Sequence, residues 1–249
     1  MSASVALPPE LAAVIAEDAE ALAALHDREL TPGLLVALRE TGFPGSLGLL
    51  PASAPAVDAW RAMAQSLADL PATPDTATMD ELASEYAAIY LTGAYGASPY
   101  ESVWTDDDHL TCQTAMFQLR DIYAAAGLVA TDWRHRADDH LVLQLLYIGH
   151  AARTATTIEH WRTLARTLDE HLLRWLAEFA ARVALRATSS FYVGLAVLTV
   201  GWLETLRDAL AGLLREPRPS RDAIEARLHP SVESPAEPIA FLPGSGPSW

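Results

Sequence analysis

Apolar residues recur every three or four positions along most of this chain, the period of a helix that buries one face. Leu11, Ile15, Leu22 and Leu25 form the first stripe, directly after Pro8-Pro9. Thr31-Pro32 reads as the N-cap and first-turn pair of a second helix. A loose stretch from Phe43 to Ala54 follows, and then a third stripe of Val57, Trp60, Leu67 and Leu70, ended by Pro71 to Asp75. Thr78 and Glu81 have the spacing of a capping box, which predicts a helix running to about Leu91. Gly93, Gly96 and Pro99 force a loop. A helix is expected from near Asp106 to just before Gly127, with Met116, Leu119 and Tyr123 inward. Another should start at Ala137 or Asp138 and carry Leu141, Leu145 and Ile148.

The cleanest stripe is Trp161, Leu164, Leu168, Leu172, Trp175, Phe179 and Val183, and it predicts one long helix from about Thr157 to Leu185. Ser189-Ser190 caps a last core helix with Phe191, Leu195, Leu198, Trp202, Leu206 and Leu213. The tryptophans in these stripes read as core knobs. No segment shows the period-two alternation of a strand, and no repeat recurs at fixed spacing. The expected fold is all-α, a single-domain helical bundle of about eight or more helices. That domain should cover residues 1–215. From Glu216 onward prolines punctuate the chain, so residues 216–249 are expected to form an extended or partly disordered tail, with one short helical piece from Arg221 to Leu228.

Composition narrows the function. The chain has 249 residues and a net charge of −15, which argues against nucleic-acid or anionic-membrane binding, since both need a cationic footprint. All 17 basic residues are arginine, a usage that fits a GC-rich genome. Acidity fits solubility alone, and equally a basic peptide or protein partner. The single cysteine, Cys112, excludes an internal disulfide and points to a reducing compartment. Residues 1–25 carry Glu10, Glu17, Asp18 and Glu20 without a cationic start, so no secretory signal is expected. The most apolar stretch, Tyr192 to Leu203, is too short to span a bilayer. A cytoplasmic protein without stable membrane insertion is expected.

The chemistry of known catalytic motifs is absent from the sequence. It contains no phosphate-cradling glycine loop and no Gly-x-Ser-x-Gly elbow. None of the eight histidines forms a His-x-x-x-His or Glu-x-x-His pair, so no metal is expected, and no cofactor. Cys112 could act as a nucleophile with His109, three residues earlier, as its base, although a buried helix cysteine is the simpler reading. A small helical metal- or ligand-binding protein or enzyme using His109, Cys112 and His140 is the alternative that this leaves. Two acidic corners remain. In the first, Ser98 to Thr105 places Tyr100, Ser102 and Trp104 in a Pro-anchored loop before Asp106-Asp107-Asp108-His109. The aspartates suit a first helical turn, and the aromatics suit either a lid on the core or a dock for a segment bearing Arg and apolar residues. In the second, Asp138-Asp139-His140 again puts acid at a helix start, with Asp138 as the expected cap.

The order Tyr86-Ala-Ala-Ile89-Tyr90-Leu-Thr-Gly93, then Pro99-x-x-Ser102-Val103-Trp104, then Asp139-His140-Leu141 resembles the TorD/DmsD family of redox-enzyme maturation chaperones, to which the NarJ proteins are related. The resemblance covers roughly Leu82 to Ile148. It departs from the family pattern at Arg136-Ala137, where Glu-Pro is usual. The resemblance implies a non-enzymatic cytoplasmic chaperone. Its partner would be the catalytic subunit of a molybdenum-containing oxidoreductase and that subunit's twin-arginine signal peptide, held until the cofactor is inserted and export is permitted. It implies a peptide-binding set of Tyr86, Tyr90, Tyr100, Ser102, Trp104, Asp106, Asp138, Asp139 and His140, and leaves room for a homodimer. An acidic protein with exposed aromatics attracts the arginines of such a leader by charge and its apolar stretch by burial. The chain contains no Arg-Arg dipeptide, so it is not itself expected to be a twin-arginine substrate.

Overall fold

The structure is a computed structural model, and it describes residues 9–229. Among these the chain forms eleven α-helices and no strand. They are α1 (Pro9–Asp27), α2 (Pro32–Glu40), α3 (Ala54–Asp69), α4 (Thr76–Tyr86), α5 (Ser102–Thr105), α6 (Thr114–Ala125), α7 (Leu141–Thr154), α8 (Ile158–Glu170), α9 (Leu172–Arg186), α10 (Ser190–Leu214) and α11 (Arg221–Leu228). A π-helical turn, Ala87–Leu91, extends α4. The described residues fall into a body ending at Arg218 and a second unit, of which α11 is the described part. The expected tail beyond residue 229 lies outside the described residues.

Apolar burial organises the body around α10, which packs against α1, α3, α8 and α9. Phe191, Tyr192, Leu195, Leu198, Trp202, Leu203 and Leu206 are all buried, as are Trp161 and Trp175, so these tryptophans are core knobs as expected. Close approach depends on missing side chains at two places. A Cβ on Gly194 would meet Ser66 Oγ at 2.7 Å, and one on Gly201 would meet Ala59 Cβ at 2.9 Å, which is how α3 lies so near α10.

Polar side chains buried in this core each tie distant segments together. Asp18 on α1 accepts the backbone N–H groups of Gly48 and Leu49 and the indole N–H of Trp202, at 2.9, 2.9 and 3.0 Å. Glu85 on α4 accepts from Thr188 and Ser189 and so fixes the turn into α10. Arg207 and Asp169 form a buried two-point pair at 2.8 and 2.9 Å.

Four sequence expectations are corrected. The helix near Thr78 begins earlier: Asp75 is its cap and accepts Thr78 N–H at 2.9 Å, so Thr78-Glu81 is no capping box. The stripe from Trp161 to Val183 belongs to two helices, broken at His171, whose backbone (φ −123, ψ −96) leaves the helical region. The helix expected from Asp106 is instead the four-residue α5, then non-helical chain, then α6 from Thr114. Cys112 is exposed and non-helical, with φ of 60°, so it is not a buried helix cysteine.

Candidate functional site

The two corners that the sequence separates by some 35 residues form one junction. Tyr100 and His140 make an isolated antiparallel bridge. Leu141 N–H donates to Pro99 O at 2.8 Å, and Glu101 N–H to Asp139 O at 3.2 Å. Asp139 Oδ2 accepts Ser102 N–H at 2.9 Å. Helix α5 has no side-chain cap of its own, so Asp139 supplies one from elsewhere in the chain. Ser102 Oγ in turn accepts Gln113 N–H at 3.1 Å and holds the chain leading into α6. The Tyr100 ring meets the His140 ring edge-on at 4.9 Å.

The second corner has a different cap from the expected one. His140 precedes α7, and its Nδ1 accepts Val142 N–H at 3.1 Å. Asp138 is instead paired with Arg120 on α6, at 2.8 Å. Asp139 and His140 are both buried. Burial raises the Asp139 carboxyl above its usual range, and burial lowers His140 to about 3, helped by Arg136. His140 is therefore neutral at physiological pH, consistent with an Nδ1 that accepts.

Beneath this junction lies a pair that sequence reasoning missed. Glu101 Oε1 bonds His171 Nδ1 at 2.9 Å, with both side chains buried. The contact joins α5 to the break between α8 and α9. No local spacing signals it, because the partners are 70 residues apart. Glu101 Oε2, Asp139 Oδ1 and Gln144 Oε1 are buried oxygens of this region without a hydrogen-bond partner in the structure.

Tyr86 and Tyr90 are buried. Their rings are 4.8 Å apart. Tyr86 O–H donates to Asp27 O at 2.6 Å, and Tyr90 O–H bonds His26 Nδ1 at 2.6 Å. Thr199 O–H donates to Leu195 O, so it accepts from His26 Nε2–H at 2.9 Å, which leaves Nδ1 as the acceptor for Tyr90. Burial lowers His26 to about 3 and raises Tyr90 well above its usual value. Arg136, at the departure from the family pattern, forms an ion pair with Asp27 at the end of α1.

Facing outward are the half-buried Tyr100, Trp104 and Asp106, with exposed Asp107 and Asp108 beside them. Trp104 Nε1–H donates to Ser98 O at 2.8 Å while its ring carries Arg182 at 5.9 Å, so it partly lids the core and partly faces solvent. His109 and Cys112 share no helix, His109 Nδ1 bonds Val103 O, and His140 serves as a cap. Among the described residues no group of three or more His, Cys, Asp or Glu could hold a metal ion. No helix of the described residues is long and apolar enough to cross a membrane.

An all-α bundle whose loops converge on an acidic, aromatic corner defines a helical protein with no metal-holding group of His, Cys, Asp or Glu among its described residues. Residues 51–181, more than half of the chain, match the family model described as nitrate reductase delta subunit, and the chain belongs to that family, the NarJ-related TorD/DmsD group. It is 31% identical over 144 residues to the chaperone protein TorD of Vibrio cholerae serotype O1, covering 55% of this chain and 65% of that one. It is 30% identical over 133 residues to the chaperone protein TorD of Shewanella piezotolerans, covering 50% and 60%. The chain thus spans less than two thirds of the length of these relatives.

Proposed function

We propose that this protein is a redox-enzyme maturation chaperone. Its client is the catalytic subunit of a molybdenum-containing oxidoreductase, bound through its twin-arginine leader and through its body until the cofactor is in place. The observation that carries this reading is the junction itself. Asp139 and Ser102 lock the Pro99–Trp104 turn against the start of α7, so Tyr100, Trp104 and Asp106 are presented beside Asp107 and Asp108 on a rigid base. Half-exposed aromatics next to uncompensated acid match a leader whose arginines precede an apolar stretch. In this reading Tyr100, Trp104 and Asp106 touch the leader. Ser102, Asp138, Asp139 and His140, all buried, hold that surface in place, and Tyr86 and Tyr90 support the core through Asp27 and His26.

The relatives named as chaperones support the same reading, as does family membership. The work is done in the cytoplasm, before export. Calorimetric titration of the full chain with a synthetic twin-arginine leader tests it, alongside pull-down of the leaderless subunit. Saturable binding weakened by salt is expected. Absence of binding to both would overturn it.

A further inference from the structure

One surface near the junction lies outside the residues assigned above to leader contact. Phe117 on α6 and Trp133 in the loop before the second corner are 53% and 42% exposed, large rings that folding ordinarily covers. Both flank a single guanidinium. Arg120 Cζ lies 5.5 Å from the Phe117 centroid and 5.2 Å from that of Trp133. Arg120 is itself fixed by the buried Asp138, with Nη2 and Nε donating to Oδ2 at 2.8 and 3.2 Å. The carboxylate therefore orients the guanidinium, and the guanidinium fixes both rings in one surface. Arg134 also stacks on Trp133, at 4.9 Å.

The same loop gathers two arginines within three residues. The whole carries −15, yet Arg134, His135 and Arg136 follow one another in this loop. Asp132 Oδ2 lies 2.7 Å from His135 Nδ1, a pair that is ionic only when the histidine is protonated, and Arg136 pairs with Asp27. Arg134 makes no ion pair among the described residues, which leaves its charge uncompensated beside the rings. A recess of about 310 Å³ under the same loop is lined by Ala130, Thr131, Asp132, His135, Arg136 and Leu143.

We propose that the Phe117–Arg120–Trp133–Arg134 surface is a second client-docking site. It takes an acidic segment bearing an aromatic or large aliphatic side chain, from the folded body of the client enzyme. The proposal rests on the maturation reading above. A twin-arginine leader is the wrong partner for this surface, because its arginines meet Arg134. An acidic, apolar segment is attracted by that charge and buries its side chain on the two rings. Trp and Arg are the residues most often responsible for interface energy. Rings already pinned through Asp138 lose less freedom on binding than free ones do. The chain thereby holds leader and body on adjoining surfaces, linked through the Asp138-Asp139 pair.

The test uses the full chain and its Trp133→Ala, Arg134→Glu and Phe117→Ser variants. All three sites are exposed, and unchanged melting midpoints verify folding. Three probes are titrated, namely the leaderless catalytic subunit of a molybdenum oxidoreductase from the same genome, its synthetic twin-arginine leader, and a short peptide of Asp, Glu, Phe and Leu. Trp133→Ala and Arg134→Glu should each weaken binding of the leaderless subunit and the acidic peptide by about tenfold or more. Leader affinity should stay within about twofold of wild type, because neither side chain is among the residues assigned to leader contact. Unchanged binding of the leaderless subunit by both variants would overturn the proposal. So would an equal loss of leader binding, or sedimentation showing that this surface joins two copies of the chain. If the leader binds wild type while the subunit is insensitive to all three variants, only this proposal falls. If wild type binds neither, the maturation reading falls with it.

Discussion

Asp139 Oδ2 accepts the backbone N–H of Ser102 at 2.9 Å across 37 residues of chain, and so caps a helix to which it does not belong. That bond makes one corner out of two. Replacing Asp139 with Ala strips α5 of its cap and leaves a buried N–H without an acceptor, at a cost of about 1–3 kcal/mol. Asp139→Asn retains an acceptor and should recover most of the loss. Urea denaturation of the two variants measures the difference.

Two buried histidines contribute to the acid response. His26 and His140 are each lowered from 6.5 to about 3 by burial, so their stabilising contribution is present above pH 6.5 and lost as pH falls towards 3. Each such histidine adds a slope of up to about 1.4 kcal/mol per pH unit in that window. Asp139, raised above 3.8, acts in the opposite sense, its contribution being lost as pH rises. His140→Asn keeps a capping oxygen and removes one titration, so it should make the fall in stability measured from pH 6 to 4 shallower.

The Tyr90–His26–Thr199 chain predicts a third effect. Tyr90→Phe preserves the ring packing but leaves His26 Nδ1 buried without a donor. The expected loss is about 1–3 kcal/mol. Thermal unfolding of Tyr90→Phe with and without Thr199→Val tests whether the three act as a unit, in which case the losses are less than additive.

Trp104 and Tyr100 should separate binding from folding. Both are half-buried, and Trp104→Ala removes the bond to Ser98 O together with the ring under Arg182. Leader affinity should fall by about tenfold or more, the scale of an aromatic anchor, with a stability loss of about 1 kcal/mol. Paired calorimetric titration and melting measure both.

Much of the bundle is legible in local spacing. Thr31 caps α2 and Ser189 caps α10 as the sequence indicates, and α11 spans Arg221–Leu228 as expected. What local spacing hides are the choices made by distant partners. Leu164, Leu168, Leu172 and Trp175 continue a helical stripe through His171 with no glycine or proline to interrupt it. The helix breaks there all the same, where Glu101, 70 residues away, bonds the His171 ring. Asp106-Asp107-Asp108 looks like a first turn, yet Ser102 Oγ takes Gln113 N–H and the chain between them passes through left-handed residues at His109 and Cys112. The motif order Pro99–Trp104 and Asp139–Leu141 was readable, whereas their union into one surface required the fold. So did Arg120, Glu101 and His171, which carry no motif of their own.

The most direct test of the central claim is calorimetric titration of a twin-arginine leader into the full chain and into an Asp107→Asn, Asp108→Asn variant. Both aspartates are exposed, so melting should not change. Saturable binding by the wild type, weakened by salt and weakened again by removing the two charges, is the predicted result. Leader binding that is indifferent to salt and to both charges, or no binding at all, would contradict it.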